Sequence, residues 1–323
     1  MHPHEYDGEV PDRLPAATVR QLSRLEPGRA VLAIAEEWLA IVAAIAFADH
    51  LGSAWLYPFF VIFIGARQHA LVVLGHDAVH YRLLPGRRLN DWVANLLLWW
   101  PVGATNEAFR LHHGDHHRYL GTDRDGNIAL WRLRGRDGRP TREWTYPKTR
   151  LQLLAKLLWR GCGLTGAAMV LVGLLRPLVL VGALYGIVRL IALGGVVAAF
   201  AAAGRLDLLV DYWVVPLVTW FVCSNYIRLI CEHSAVRSER PLYALTRTTI
   251  PSWFDLLFVV PRNISYHYEH HIYPSVPFYR LPALHAAMRG LPGFRDHACV
   301  SRGIRRALGE CVVRRPGASV DGG

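Results

Sequence analysis

The sequence has few charged residues and almost no lysine. Charged residues make up 19% of the 323 positions, and Lys148 and Lys156 are the only lysines among 36 basic residues. This arginine bias is typical of a GC-rich bacterial genome. No basic stripe alternates with exposed aromatic side chains on a polar segment, so the net charge of +11 does not indicate nucleic-acid binding. The polar start, MHPHEYDGEVPDRLP, lacks the charged and then apolar pattern of a secretion signal, and no cleaved signal peptide is expected.

Sequence signatures of redox cofactors and of disulfide scaffolds are also absent. The five cysteines have no regular spacing and no CxxC pair, so we expect unpaired thiols and no iron–sulfur cluster. No GxGxxG turn follows a predicted strand, which argues against a flavin or nicotinamide domain. Any electrons that the protein needs must therefore come from a separate carrier. The cysteines are Cys162, Cys223, Cys231, Cys299 and Cys311.

Long apolar runs are abundant. Hydrophobic residues make up 52% of the chain, gathered into runs of about 20 or more, the length that crosses a bilayer. The runs are Ala30 to Leu51, Ala54 to Leu74, Leu164 to Ala203 and Leu206 to Ile230. The third is long enough for one crossing plus an interfacial half-helix, divided at Arg176-Pro177. The tryptophan-rich stretch Leu89 to Ala104 is too short to cross and is expected at the interface.

The charges of the loops predict the orientation of the chain. Residues 76–163 contain 15 lysines and arginines and residues 234–323 contain 12, whereas the short connections at 50–53 and 204–207 hold a single arginine. By the positive-inside rule both large polar segments are cytosolic. We therefore predict an all-α integral membrane protein with four transmembrane helices in two hairpins and a cytosolic helical cap that carries the histidines. Three crossings between residues 164 and 230 are the less favoured alternative.

Ionisable residues inside the first predicted hairpin need an explanation. Glu36, Glu37, Arg67 and His69 either pair with one another or line and support a site, as intramembrane ionisable groups often do. The sequence leaves both readings open.

Histidine is the unusual residue, with 16 copies, ten of them in four tight groups. His76 and His80 are four residues apart, which places both imidazoles on one helix face where they can share a metal. An HxxHH group begins at His113, another begins at His267, and Glu232-His233 stands between them. One such group is weak evidence, but three groups at helical spacing on one predicted membrane face indicate a metal site.

The number of histidines indicates two ions. Eight or nine imidazoles exceed the capacity of one ion, whereas two ions with four or five nitrogen ligands each would use them all. Iron, copper and zinc all accept imidazole, so the donor set alone does not choose the metal. Asp77, Asp115, Glu232 and Glu269 stand beside these histidines and are expected to accept their second ring N–H.

Three histidine boxes in this order resemble the membrane fatty acid desaturase superfamily, whose signature is HxxxH, HxxHH and HxxHH around two transmembrane hairpins. The boxes are His76 and His80, then His113, His116 and His117, then His267, His270 and His271. Flanking segments similar to bacterial members are HDAVHYRLLPGRRLNDW, HHRYLGTDRD, RLICEH and HYEHHIYPSVPFYRLPALH. The resemblance covers about residues 30–290.

The resemblance implies two iron ions (Fe²⁺) among these eight histidines, with His233 as a ninth ligand through the RxxxEH stretch that begins at Arg228. His112 precedes the second box and is expected beside the site rather than in it. Asn263 is a candidate for a polar or water-mediated contact near the irons. The run Asp123-Arg-Asp125-Gly126 replaces the acidic-proline-acidic run that is frequent in the family, which changes local structure without removing a ligand.

The implied activity is O2-dependent oxidation of an alkyl chain, with desaturation of a fatty acyl chain or lipid expected first. Lipid hydroxylation comes second, and terminal-alkene formation by decarboxylation and carotenoid oxygenation stay open, because no motif encodes substrate placement. A metal transporter or sensor is the non-enzyme alternative, but its ligands would be expected near the bilayer midplane. We expect His233→Ala to abolish turnover and lower bound iron, and His285→Ala and His297→Ala to leave both nearly intact.

The same interpretation predicts the partners of the protein, its cellular location and its domain boundaries. A ferredoxin or similar carrier is expected to dock on a basic cytosolic face of a protein integral to the bacterial inner membrane, with the active site facing the cytoplasm. No nucleic-acid partner is expected. Residues 1–28 form a polar cytosolic segment, 29–290 a membrane desaturase-like domain and 291–323 a basic cytosolic tail.

Overall fold

A computed structural model describes residues 12–122, 124–127 and 146–313, and these are mostly helical. The helices before the third apolar run are α1 (Ala16–Leu22), α2 (Pro27–Leu51), α3 (Tyr57–Val79), α4 (Arg87–Ala94) and α5 (Asn106–Tyr119). The next are α6 (Arg150–Gly161), α7 (Leu164–Leu180), α8 (Ala183–Ala202) and α9 (Leu206–His233). The last are α10 (Trp253–Phe258), α11 (His267–Ile272), α12 (Leu281–Met288), α13 (Pro292–His297) and α14 (Ile304–Glu310). Strands β1 (Thr248–Ile250) and β2 (Val300–Arg302) pair in parallel, Thr248 opposite Val300.

Four described helices, α2, α3, α8 and α9, are long and apolar enough to cross a membrane. This agrees with the expected number of crossings, while the pairing into two hairpins and the cytosolic position of the cap remain predictions. Helix α2 begins with a proline, which needs no N–H at a helix start, and is followed by Gly52, whose φ of 56° is left-handed. Helix α9 contains two π-helical segments, Val210–Val214 and Leu217–Phe221, which widen the helix locally.

The break in the third apolar run lies after Pro177 rather than at Arg176-Pro177 as expected. Helix α7 continues through Pro177 to its end and bends from α6 by 51°. Proline removes the N–H that would bond the carbonyl of Gly173, four residues earlier. The Nη1 group of Arg189, on α8, donates to that carbonyl at 3.2 Å and to the carbonyl of Leu174 at 3.3 Å. The helix therefore tolerates the proline because a neighbouring helix satisfies the freed carbonyl.

The charged residues of the first two spans pair with one another and with a later loop. Glu37 accepts hydrogen bonds from Arg67 at 3.2 Å and from Arg262 at 2.6 Å, and Arg262 also pairs with Glu36 at 2.8 Å. The geometry favours the structural reading for these residues. His69 lies apart from the other histidines, with its Nδ1 3.0 Å from the carbonyl oxygen of Val259.

The described parts of the two predicted terminal segments pack against the helical body. Tyr273 and Tyr279, which follow the third box, accept hydrogen bonds from the backbone N–H groups of Leu14 and Glu26 at 2.8 and 2.7 Å. Strand β2 pairs with β1, so the start of the C-terminal segment belongs to the fold. Residues 1–11 and 314–323 of these segments lie outside the described residues.

Candidate metal centre

The nine predicted ligand histidines come together in two groups. Within each group one nitrogen of every ring lies within 4.8 Å of the others. The first histidine group consists of His76, His80, His113, His117 and His270. The second histidine group consists of His116, His233, His267 and His271. Each group has the size and donor type of one metal site.

Each HxxHH box is divided between the two groups. On α5, His113 and His117 are about 40° apart around the helix and join the first group, whereas His116 is turned about 100° from His117 and joins the second. The third box divides in the opposite sense, since His270 joins the first group and His267 joins the second. A box that the sequence places on one helix face therefore bridges two sites.

Local sequence features position the helices that carry the boxes. Thr105 starts α5, because its side chain accepts a hydrogen bond from the N–H of Ala108. Gly75 lets the indole of Trp99 pack directly against α3, since an added Cβ would lie 2.6 Å from that ring. His76 follows immediately, so this contact fixes the position of the first histidine group relative to the segment that carries Trp99.

The ring nitrogens converge as metal ligands do. His113 Nε2 lies 3.0 Å from His80 Nε2, and His267 Nε2 lies 2.9 Å from His233 Nε2. Both ring nitrogens of His76 are buried without a hydrogen-bond partner among the described residues. Buried polar atoms rarely lack a partner, so these nitrogens fit a bound cation.

Burial favours the neutral form of six box histidines. It lowers the pKa of His80 to about 3, with the nearby positive charges of Arg110 and Arg82 acting in the same direction. Burial, followed by neighbouring imidazoles, also lowers the pKa of other box histidines well below the usual value. These are His113, His117, His267, His270 and His271. Neutral imidazoles have the lone pairs that a divalent cation requires.

Asp125 is a supporting residue that the sequence analysis did not assign. His116 Nδ1 and Asp125 Oδ1 are 2.8 Å apart with both side chains 1% exposed, so the carboxylate accepts the ring N–H and directs Nε2 toward the second group. The expected partner Asp115 is instead exposed, because the residue before His116 is turned about 100° around the helix. The acidic run after the box was the available signal, and its first member, Asp123, lies outside the described residues.

Two expected supporting residues, Glu232 and Arg228, do lie beside a box histidine. Glu232 Oε1 is 3.4 Å from His267 Nδ1 and accepts a hydrogen bond of 2.7 Å from Arg228 Nε. His233 Nδ1 donates to the carbonyl of Leu245 at 3.2 Å, which leaves Nε2 directed at the second group. The end of α9 thus orients the ring of His233 and places a carboxylate near the ring of His267, whose Nδ1 has no hydrogen-bond partner among the described residues.

Asp77 and Asn263 contact backbone rather than histidines. Asp77 accepts a hydrogen bond of 2.8 Å from the N–H of Phe278, and Asn263 donates one of 3.3 Å to the carbonyl of the same residue. Both side chains therefore hold the loop after the third box. Asp77 bonds the backbone of Phe278 instead of the expected histidine ring, whereas a polar or water-mediated contact of Asn263 near the irons stays a prediction.

Glu269 and His112 also have partners outside the two groups. Glu269 lies 2.5 Å from His285 Nδ1 and accepts a 2.7 Å hydrogen bond from Thr248, which ties α11 to α12 and β1. His112 contacts Asn127 at 2.7 Å, outside both groups as expected. Because His285 is buried and bonded to Glu269, its replacement is a poor neutral control.

Comparisons with known proteins match most of the chain. A family model described as fatty acid desaturase matches residues 53–303, which include all nine histidines. The chain is 28% identical over 302 residues to dihydrorhizobitoxine desaturase of Bradyrhizobium elkanii, covering 88% of this chain and 83% of that protein. It is 27% identical over 264 residues to human sphingolipid delta(4)-desaturase/C4-monooxygenase, covering 76% and 69%. It is 26% identical over 214 residues to beta-carotene ketolase of a Paracoccus species, covering 66% and 72%.

Proposed function

The chain belongs to the fatty acid desaturase family and is an oxidoreductase, and we propose that it is a di-iron enzyme that uses O2 to introduce a double bond into the alkyl chain of a fatty acid or lipid. The observation that carries the proposal is the convergence of nine imidazoles into one group of five and one group of four. All-nitrogen groups of this size fit two iron ions better than one structural zinc.

The first histidine group would hold one iron and the second histidine group the other. Two ferrous ions bound there would supply O2 activation, which takes two electrons and two protons, and the removal of hydrogen from an unactivated C–H bond. The protein's own residues orient the donors and exclude water. Asp125 and the carbonyl of Leu245 accept the Nδ1–H groups of His116 and His233, so each Nε2 faces the group, and Glu232 lies 3.4 Å from Nδ1 of His267.

Hydroxylation is the second candidate outcome. One relative has a name that joins desaturase with C4-monooxygenase activity, and another is named a ketolase, so relatives at similar identity carry names of different oxidations. Desaturation removes a second hydrogen from the chain, whereas hydroxylation returns an oxygen to it. The two differ in how the substrate carbon is positioned, which the described side chains do not specify.

The proposed location is the bacterial inner membrane with both histidine groups facing the cytoplasm, and the proposed electron donor is a separate acidic carrier such as a ferredoxin. Arg118 and Arg124 are exposed and lie 6.0 and 3.8 Å from the ring of Tyr119. Neither guanidinium pairs with a carboxylate in the part of the chain that the structure describes. Tyr119 comes two residues after His117, so a carrier bound here would be close to the first histidine group.

Product analysis tests the proposal. Cells that express the protein with O2 should accumulate a lipid or fatty acid lacking two hydrogens, and cells without O2 or with His76→Ala should not. His297→Ala is the matched control, because this half-buried ring lies outside both groups. A product with one added oxygen would favour hydroxylation. Full product formation by His76→Ala, or purified protein without iron that still turns over, would contradict a di-iron enzyme.

A further inference from the structure

Arg189 is a cation on a candidate membrane-spanning helix, and it has no acidic partner among the described residues. Arg189 lies on α8, a span whose outward face is apolar, and its side chain is 0% exposed. No carboxylate pairs with it among the described residues. Ionisable groups at such positions are costly, and they usually mark a site or have a counter-charge.

One of the three guanidinium nitrogens already has a structural role. Nη1 donates to the carbonyls of Gly173 and Leu174 on α7, the first of which Pro177 leaves without a helix hydrogen bond. The other two nitrogens, Nε and Nη2, are buried and have no hydrogen-bond partner in the part of the chain that the structure describes. The proline kink therefore accounts for one nitrogen and leaves two nitrogens and the charge unexplained.

The free pair of nitrogens has a specific chemical preference. Nε–H and one Nη2–H of a guanidinium point in parallel and match the two oxygens of a carboxylate or a phosphate. Leaving them unpaired away from water is unfavourable, whereas an anion would satisfy both donors and the charge. We propose that Arg189 binds the anionic headgroup, carboxylate or phosphate, of a membrane lipid.

The surroundings of Arg189 favour a lipid over a soluble anion. Helices α7 and α8 cross closely at Gly186, where an added Cβ would lie 3.0 Å from the Cα of Leu178, and their outer faces expose leucine, isoleucine and valine. An anion that reaches the guanidinium must therefore pass between apolar side chains. An anion attached to an acyl chain can do so, because the chain packs against those side chains. Arg189 lies six residues, about 9 Å, from the start of α8, which places it inside a hydrocarbon core about 30 Å thick, where an anion attached to an acyl chain has easier access than a free anion.

A polar path connects this position to the helix of the second histidine box. Tyr185, one turn before Arg189, donates a 3.1 Å hydrogen bond to Glu107 on α5 and accepts one of 3.1 Å from Trp100. Glu107 accepts hydrogen bonds from Tyr185 and Asn95, and it forms no ion pair with Arg189 among the described residues. A lipid headgroup bound at Arg189 would rest against the helix pair that contacts α5.

Lipid-dependent thermal stability of the full-length, iron-loaded protein in a non-ionic detergent without phosphate tests the site. Wild type should melt at higher temperature with sodium oleate or phosphatidylglycerol, and should respond much less to oleyl alcohol or diacylglycerol, which have the same chains without the anion. Arg189→Gln should raise the half-saturating concentration of the anionic lipids at least about tenfold, which is the factor expected for the loss of one charged hydrogen bond. Arg176→Gln, an exposed arginine of α7, should respond as wild type does.

Further arms separate the ligand sources and guard against misfolding. Arg189→Lys keeps a charge and a donor for the Gly173 carbonyl but lacks the paired N–H groups, so it should fold and still bind the anions more weakly. A response to oleate alone identifies a fatty acid site, and a response to phosphatidylglycerol alone identifies a phospholipid site. Three results would overturn the proposal. Sodium acetate or inorganic phosphate could raise the melting temperature as much as the anionic lipids do, oleyl alcohol could raise it as much as oleate does, or both Arg189 variants could respond to the anionic lipids as wild type does.

Discussion

Replacement of Asp125 by asparagine is the sharpest perturbation of the candidate metal centre. The carboxylate accepts the Nδ1–H of His116 at 2.8 Å, and both side chains are almost fully buried. Asparagine keeps the shape of the side chain, and its one oxygen can still accept the backbone N–H of Asn127, which Asp125 Oδ1 bonds at 2.8 Å, while the N–H of Gly121, bonded to Oδ2 at 3.1 Å, loses its acceptor. The variant should therefore fold while it loses the negative charge that orients the ring.

The expected magnitude follows from the position of His116 in the smaller group. Removing a partner that orients a ligand histidine typically lowers metal affinity by about 10- to 100-fold. The second histidine group has four rings, so a misoriented His116 leaves three, whereas the first group keeps five. We therefore expect Asp125→Asn to lose one of two bound irons at a chelator concentration about 10- to 100-fold lower than wild type.

Iron content after titration with a chelator measures this effect, and Asp115→Asn is the matched control. Asp115 is the neighbour of His116 in sequence but is exposed, so its replacement should leave the titration unchanged. Two irons released together at the wild-type chelator concentration in Asp125→Asn would refute the assigned role. Loss of iron in Asp115→Asn would refute the geometry of the helix.

Three further outcomes are expected. His233→Ala should abolish turnover and lower bound iron because it leaves the second histidine group with three rings. The control His297→Ala should retain turnover and bound iron. Full iron content in His233→Ala would show that His233 is not a ligand. Gly75→Ala should lower the melting temperature, because the added Cβ would lie 2.6–2.9 Å from atoms of the Trp99 indole. Overpacking of this kind typically lowers the free energy of unfolding by about 1–3 kcal/mol. Gly194→Ala, with no atom within 4 Å of its added Cβ, should not. Iron-free protein should lose stability as the pH falls below about 6.5. Burial lowers the pKa of box histidines such as His113 and His270 in the folded state, so only the unfolded chain takes up protons there. An unchanged melting temperature at lower pH would contradict this prediction.

The sequence alone predicted the candidate metal ligands and the helices that are long and apolar enough to cross a membrane. Spacing of three and four residues is a local property of a helix, so HxxxH and HxxHH could be assigned to helices before any contact between them was known. Runs of about 20 apolar residues likewise identify membrane-spanning helices without tertiary information. The family resemblance added His233, which spacing by itself does not distinguish from an isolated surface histidine.

Only the tertiary structure decided how these residues are shared and supported. The division of each HxxHH box between two groups depends on where α3, α9 and α11 pack against α5, and those helices are far apart in sequence. His116 finds its carboxylate at Asp125 because the chain turns back after α5, whereas the neighbouring Asp115 points away. Helix α7 passes through Pro177 because Arg189 of another helix satisfies the freed carbonyl. Periodicity reports which face a residue occupies, but only packing determines what that face meets.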